Sequence, residues 1–572
     1  MSFTVAHLIA DTLAACGVER VYGLPGDSLN GFTDALRRRP DIAWVHVRHE
    51  EAAAFAAAGE AALTGRLAVV AASCGPGNLH LVNGLFDAQR SRVPMLVIAA
   101  HIPSAEIGTG YFQETHPEEL FRECSVYCEL ASTPEQFPQV LNIAVRTAVE
   151  RQGVAVLVVP GDVLLARIAE PARIPPIRAS ESTARPSDRE IASAAAALDA
   201  VDRVTILAGA GCAGAHDELV ALAARLRAPI VHTLRGKDAV EADNPFDAGM
   251  TGLLGMPAGY HAMRRAEALL MVGSDFPYRD FYPEHATVIQ IDDRGEQIGR
   301  RIAVDVPLVG TAKETLAALS ASVAAKSDGS HLDAAIRAHA HDVHGLEHAA
   351  ASGGSRRRIH PQFVARTIDE LAADDAVLVP DVGTPVVWAA RHLRMNGRRR
   401  LIGSFTHGSM ANALPQAIGV QSAEPHRQVI ALSGDGGLAM LLGELLTLRQ
   451  SALPVNVVVF NNGALGFVEL EMKASGFVNF GTDLDNPSFA AIAAAIGIHA
   501  ERVDRPDLVR PAMRAAFAHE GPALVEVMTA RQELSLPPHI SFGQAEGFAL
   551  YATRSVLSGR ADELIDLART NL

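Results

Sequence analysis

The chain has 572 residues, of which 49% are hydrophobic and 20% charged. At roughly 150 residues per domain this is several folded domains, and the composition excludes a disordered, collagenous or disulfide-stapled chain. The formal net charge of −15 argues against a nucleic-acid partner, whose phosphates call for a cationic surface.

The opening segment MSFTVAHLIADTL lacks a cationic n-region, and Asp11 interrupts its apolar run, so no secretory signal is expected. No stretch approaches the ~20 apolar residues of a membrane-spanning helix. The five cysteines (16, 74, 124, 128 and 212) are odd in number and form no C-x-x-C pair. Reduced thiols in a cytoplasmic protein are the expectation. Cys124 and Cys128, four residues apart, are predicted to share a helix face. Only four basic residues are lysines (Lys237, Lys313, Lys326, Lys473), which leaves little room for Schiff-base chemistry.

Short apolar runs, rich in β-branched residues, punctuate the chain at 67–73, 94–101, 154–160, 204–210, 269–273, 287–292, 376–381, 428–435 and 454–460. Each is too short for a buried helix and reads as a strand covered on both faces, hence a parallel sheet. Ala- and Leu-rich helical stretches separate them. The predicted class is α/β, with several doubly wound parallel sheets. Two linker-like stretches, 169–188 (Pro/Ser-rich) and 326–361 (polar, with an Arg run), divide the chain. The resulting domains are 1–182, 183–334 and 335–530, with a tail at 531–572. The second linker holds His331, His339, His341, His344, His348 and His360. The His344/His348 spacing can bind zinc, but with no Cys or carboxylate cluster beside it a solvated, partly helical linker is the reading.

The strongest chemical signal is Gly434-Asp435-Gly436-Gly437 followed by Asn461-Asn462, both at the ends of predicted strands. Ligands bind at strand carboxyl ends in open α/β sheets. Glycines there let backbone N–H groups approach a phosphate. Asp435 and Asn462 offer hard oxygen donors suited to Mg²⁺ bridging a diphosphate. In the middle domain, Gly209-x-Gly211-x-x-Gly214 follows a strand, but no acidic residue ends the next strand, PIVHT. A nicotinamide-dinucleotide site is therefore not expected there.

The GDGG…NN pairing resembles the thiamine diphosphate (ThDP) and metal motif of the pyruvate oxidase/acetohydroxyacid synthase/pyruvate decarboxylase superfamily. Further segments resemble it from end to end: GDSLNG, RHEEAAAFAA, SCGPGNLHLVNGLFD, GYFQETHPEELFRECS, RGK, GMTGLLG, FPYRDFYP, HGSMANALPQAIG and LGFVELEMK. The nearest branch is the quinone-linked pyruvate dehydrogenases. The resemblance implies three cofactors: ThDP, Mg²⁺ and FAD. It makes Glu50, rather than Glu51, the carboxyl group that polarises the aminopyrimidine ring, a task suited to an apolar pocket. Met410 becomes the wedge that bends the cofactor, with Gly408 and Ser409 beside it. Gly383 and Thr384 fall at the diphosphate. So do Asp435, Gly436 and Gly437 and the run Asn462, Gly463, Ala464, Leu465, Gly466, Phe467 and Val468. Asp435, Asn462 and Ala464 are the implied metal ligands.

Three stretches match flavin contacts: Thr251, Gly252, Leu253 and Leu254; Ser274, Asp275, Phe276, Pro277 and Tyr278; and Asp292. Phe112, Gln113, Phe467 and Glu471 match the substrate pocket. The run Phe112-Gln113-Glu114-Thr115-His116 lacks the paired histidines of the decarboxylases and fits the oxidase side. The implied reaction is oxidative decarboxylation of pyruvate to acetate and CO₂, with electrons passing through FAD to ubiquinone. A carboligase with a structural FAD, an O₂-using oxidase and a non-catalytic cofactor-binding regulator stand as alternatives. A homotetramer is implied, since ThDP lies between subunits in the family. The tail, with Leu564, Ile565, Ala568 and Leu572 on one helix face, is the implied contact with the inner face of the cell membrane. It departs from the family pattern in being acidic and without Trp.

Overall fold

The computed structural model describes residues 3–171, 173–180, 183–356, 358–534, 538–539, 542–557 and 561–571. All nine apolar runs are strands, each within two residues of its expected limits. They belong to three six-stranded sheets in which every pairing is parallel. Val69, Val97, Val156, Ile206, Leu270, Ile430 and Val459 are fully buried in strand centres, as sheets covered on both faces require.

The first sheet runs in the order Ala43–His46, Arg20–Gly23, Ala68–Ala72, Met95–His101, Val154–Pro160, Tyr127–Leu130. The third runs Arg400–Leu401, Val377–Pro380, Val429–Gly434, Asn456–Asn461, Ala523–Met528, His499–Val503. Counted within each domain, both orders are 2-1-3-4-6-5. The middle sheet, centred on Ala268–Val272 and Val204–Ala208, is wound differently.

The first and third domains pack through equivalent helices, Glu50–Thr64 and Ala413–Ala423. Both are built of small residues, which lets their backbones close up. A Cβ on Gly419 would fall 1.8 Å from the carbonyl oxygen of Ala56, and one on Gly59 2.5 Å from that of Gln416. Only glycine permits such an approach. One apolar core therefore runs through both domains, from Val70 and Val97 in the first to Val429 and Val457 in the third.

Three expectations are corrected. Cys124 lies in a turn and Cys128 on the edge strand Tyr127–Leu130, so the pair is not on a helix. Burial pushes both thiols up to about 12, which leaves them inert at neutral pH. The stretch read as a second linker is largely the 20-residue helix Ser330–Ala349. It packs on the middle domain, against the helix Pro257–Arg264 and the strand Asp247–Met250. His331 there bonds the Thr205 hydroxyl at 2.9 Å, and burial lowers it to about 4. Residues 335–349 thus lie with the middle domain. His344 and His348 are exposed and join no cluster of metal-ligating side chains among the described residues. Finally, the tail is not separate from the catalytic domains. Its helix Phe542–Leu557 packs on the helix Gly466–Ala474. Gly547 lies against the Ala474 carbonyl, and Arg554 donates to the carbonyl of Gly476 at 2.7 Å.

Candidate active site

The carboxyl edge of the third sheet gathers the GDGG…NN residues. Asp435 opens the helix Asp435–Met440 directly after its strand, and Asn461 ends the adjacent one. Asp435 Oδ2 accepts from Gly463 N–H and from Asn486 Nδ2, each at 2.8 Å. Burial raises the Asp435 carboxyl to about 6. Asn461 donates to buried Glu526 at 2.8 Å and is structural. Asn462 instead turns its amide oxygen onto Ala464 N–H at 3.0 Å, so the two asparagines divide the work. Gly463 takes φ +67°, which the reversal after the strand requires. Thr384, first residue of its helix, and the Asn462 amide both flank Gly466. The donors here are oxygens, a set that fits Mg²⁺ far better than a softer metal. A bound divalent cation would hold the buried Asp435 ionised.

Above this edge lies an apolar wall. A methyl group on Gly436 would fall 2.8 Å from Leu465, and 3.3 Å from both Met410 Cε and Leu484. Met410 is therefore aimed across the GDGG loop, where a ring-bending wedge belongs. Its backbone is held in an uncommon conformation, with Gly408 at φ +78° and Ala411 at +66°. A non-glycine residue at positive φ persists only where its surroundings enforce it. Ser409 completes the segment, accepting from Asn83 at 2.8 Å and donating to the Met410 carbonyl at 2.9 Å. Asp381, fully buried at the end of the strand Val377–Pro380, abuts Gly437 and is raised by burial to about 7.

The carboxyl edge of the first sheet carries a second set of these residues, linked to the segment 408–410 of the same chain through Asn83 and Ser409. Glu50 is the first residue of the helix Glu50–Thr64 and is 5% exposed. Its Oε2 lies 2.9 Å from His80 Nδ1, and Gly77 sits beside Oε1. Glu51 is occupied by Asn83, which donates to it at 2.7 Å. Both carboxylates are engaged, Glu50 with His80 and Glu51 with Asn83, which also reaches Ser409. Gln113 packs on Gly75 with φ +63°, its amide oxygen 3.5 Å from the Cys74 thiol. Phe112 projects outward, 78% exposed. Phe112 and Gln113 hence stand with Glu50 on the first domain, while Phe467 and Glu471 stand on the helix Gly466–Ala474 of the third.

The flavin-matching stretches lie together at the carboxyl edge of the middle sheet. Gly252 fits under the rings of Phe276 and Tyr278, and Leu254 accepts from Arg391 Nε at 3.0 Å. Asp292 ends its strand and accepts from Arg294 N–H at 3.0 Å, with burial raising its carboxyl. Asp275 pairs with Arg301 at 2.8 Å. Three buried polar atoms of these loops have no hydrogen-bond partner among the described residues: Thr251 Oγ1, Ser274 Oγ and Arg294 Nη2. Unsatisfied buried polar groups are costly, and a polar cofactor would complete them. Arg92 is lowered by burial and by neighbouring Arg294, two cations that a diphosphate would reconcile. The glycine-rich loop 209–214 packs two of its glycines against Gly273 at the end of the neighbouring strand. Cβ atoms on Gly209 and Gly211 would strike Gly273 at 2.3 and 2.6 Å. The unpartnered polar atoms and the two arginines are a lining that FAD, with its diphosphate and hydroxyl groups, would fit. Tyr278 is raised by burial and by the charge of Glu471, and Leu254 of the loop 251–254 packs with Phe467 of the helix Gly466–Ala474 on the core of the third domain.

His80, Asn83, Asp381, Asn486, Arg92 and Arg294 are not among the expected site residues. His80 and Asn83 lie in the motif SCGPGNLHLVNGLFD at helical i,i+3 spacing, the one signal that points to them.

Comparison with known proteins agrees with this geometry. The N-terminal TPP-binding domain of thiamine pyrophosphate enzymes matches residues 3–120, the central domain 191–319 and the C-terminal TPP-binding domain 381–527. The chain belongs to the thiamine pyrophosphate enzyme family. It is 36% identical over 569 residues to a Bacillus subtilis (strain 168) protein named "Putative thiamine pyrophosphate-containing protein YdaP", covering 99% of this chain and 98% of that one. It is 30% identical over 533 residues to the pyruvate oxidase of Lactiplantibacillus plantarum, covering 91% and 87%. It is also 30% identical over 551 residues to acetolactate synthase 1 of Zea mays, covering 93% and 86%.

Proposed function

We propose that the chain is a ThDP-, Mg²⁺- and FAD-dependent enzyme that converts pyruvate, water and ubiquinone to acetate, CO₂ and ubiquinol. The observation that carries this reading is that Leu254 of a flavin-matching loop and Phe467 of the helix Gly466–Ala474 pack against the same core of the third domain. When bound, ThDP supplies an electron sink for the departing CO₂, and FAD a two-electron acceptor. The chain's own residues do the rest. Asp435, Asn462 and Ala464 hold the metal, and Thr384 and Gly436 border the diphosphate. Met410 imposes the ring geometry. Glu50 holds and returns a proton at the pyrimidine. Phe112 and Phe467 exclude water, while Gln113 and Glu471 orient the oxo acid.

A homotetramer is part of the proposal, and Phe112, 78% exposed, offers an aromatic surface that a second subunit would cover. Peripheral contact with a membrane through the tail is supported by exposed Leu550, Leu557 and Ile565. No helix among the described residues is long and apolar enough to cross a membrane. The predicted apolar face is only partly described, since Leu572 lies outside the described residues.

A second reading, the carboligase, is favoured by the equal identity of the acetolactate synthase and pyruvate oxidase relatives. Anaerobic mixing of the loaded protein with pyruvate separates the two. Flavin bleaching that is reversed by a ubiquinone analogue supports the proposal, and reversal only by O₂ assigns an oxidase. Pyruvate consumption with oxidised flavin and acetolactate formed would establish the carboligase instead.

A further inference from the structure

We infer that His80 is a positioning and proton-passing residue that connects buried Glu50 to solvent. The inference rests on the reading of Glu50 as the pyrimidine-facing acid. Glu50 is 5% exposed, and His80 is the one side chain, among the described residues, shown hydrogen-bonded to it, at 2.9 Å. The His80 side chain is 45% exposed in the single chain, so the imidazole spans from the buried carboxylate to the open face of the site. Two contacts fix the ring: the Glu50 bond and stacking on His49, with centroids 4.3 Å apart and planes at 26°. The carboxylate oxygens are differentiated. Oε2 is engaged by His80, whereas Oε1 faces Gly77, where a Cβ would approach to 3.2 Å. Oε1 is the oxygen left for a cofactor nitrogen.

Imidazole suits the task because its two nitrogens can bind and release a proton in the neutral pH range. A proton taken from water at Nε2 releases the Nδ1 proton to Glu50 Oε2, and the reverse passage returns it. One proton moves per passage, with no oxidant or further reactant. The titratable groups facing the pair are His49 and Glu51 on the same helix entrance, and His407 across Asn83. His49 is committed as the helix cap, accepting from Glu51 N–H at 3.2 Å. Asn83 satisfies Glu51 at 2.7 Å. His80 is the member left to connect Glu50 with solvent.

The test is hydrogen–deuterium exchange at C2 of ThDP bound to the full-length protein with Mg²⁺, quenched in acid and read by NMR between pH 5 and 8. Wild type, His80→Gln, His80→Leu and Glu50→Gln are compared, with unfolding midpoints as the folding control. His80→Gln is expected to bind ThDP normally, to exchange about tenfold or more slowly, and to lose the wild-type pH dependence. Added imidazole should partly restore the rate in His80→Leu. Wild-type exchange and pH profile in His80→Gln, with Glu50→Gln slow, would overturn the relay alone. Wild-type exchange in Glu50→Gln would remove the relay together with the proposed role of Glu50. Reduced ThDP affinity with unchanged exchange per bound cofactor would make His80 structural and also overturn the relay.

Discussion

The first and third domains share one strand order and meet through equivalent helices, yet their carboxyl edges carry different chemistry. After its third strand the first domain has Ser73-Cys74-Gly75-Pro76-Gly77, and the third has Gly434-Asp435-Gly436-Gly437. After the second strand, the first domain offers Glu50 at the start of a helix, and the third offers Gly408-Ser409-Met410 before one. Topology supplies the two edges; on the proposed function, a few loop residues assign the metal diphosphate to one and the polarising carboxyl group to the other. Fold therefore fixes where chemistry can occur, and side chains fix which chemistry it is.

Two substitutions break the comparison most strongly. Asp435→Ala removes the carboxylate at the third edge and is expected to abolish measurable Mg²⁺-dependent ThDP binding in a calorimetric titration. Glu50→Gln keeps the size and hydrogen bonding of the first edge. It should leave ThDP binding within a fewfold of wild type and lower kcat with pyruvate by about 100-fold or more. Loss of cofactor binding in Glu50→Gln, or its retention in Asp435→Ala, would reverse the division of labour.

A smaller effect is expected at the seam between the two domains. Gly419→Val places a side chain 1.8 Å from the Ala56 carbonyl at its first atom, so the two helices must separate. Overpacking of this kind costs about 1–3 kcal/mol, and backbone rather than a flexible side chain is struck here. A fall in the thermal unfolding midpoint, with loss of activity in proportion to unfolding, is the expected result. An unchanged midpoint would mean that the two domains are not joined by this contact.

Much of the fold is legible in the sequence because strands buried on both faces leave continuous β-branched runs, and all nine such runs are strands. The gathering of GDGG and the paired asparagines at one edge is legible because both motifs directly end strands, which a parallel sheet brings to one side. The Ser330–Ala349 helix escapes the reading because its many polar side chains face solvent, leaving only Leu332 and Ala335 buried. Cys124 and Cys128 are misplaced by it because i,i+4 spacing does not distinguish a helix from a turn leading into a strand. His80, Arg92 and Arg294 are hidden because each acts across elements distant in sequence. Arg92 meets Arg294 and Asp275 only after the first and middle domains pack.

The subtlest difference between the domains lies in Asp87, which comes from the first and is completed by the third. Its Oδ2 accepts from Gln416 Nε2 at 2.9 Å, and Gln416 in turn accepts from Asn412 at 3.0 Å. Burial raises the Asp87 carboxyl to about 6, against the opposing pull of Ser404, Arg235 and Gln416. Because the folded state holds this proton more tightly than the unfolded chain, its stabilising contribution is full below about 3.8. It is lost as pH rises through about 6. Asp87→Asn keeps an oxygen for Gln416 and removes the titration. Its stability relative to wild type should therefore rise between pH 4 and 6 and level off above, in urea unfolding followed across that range. A difference that does not change with pH would show that Asp87 is ionised in the folded chain throughout, and that the seam between the domains tolerates a buried charge.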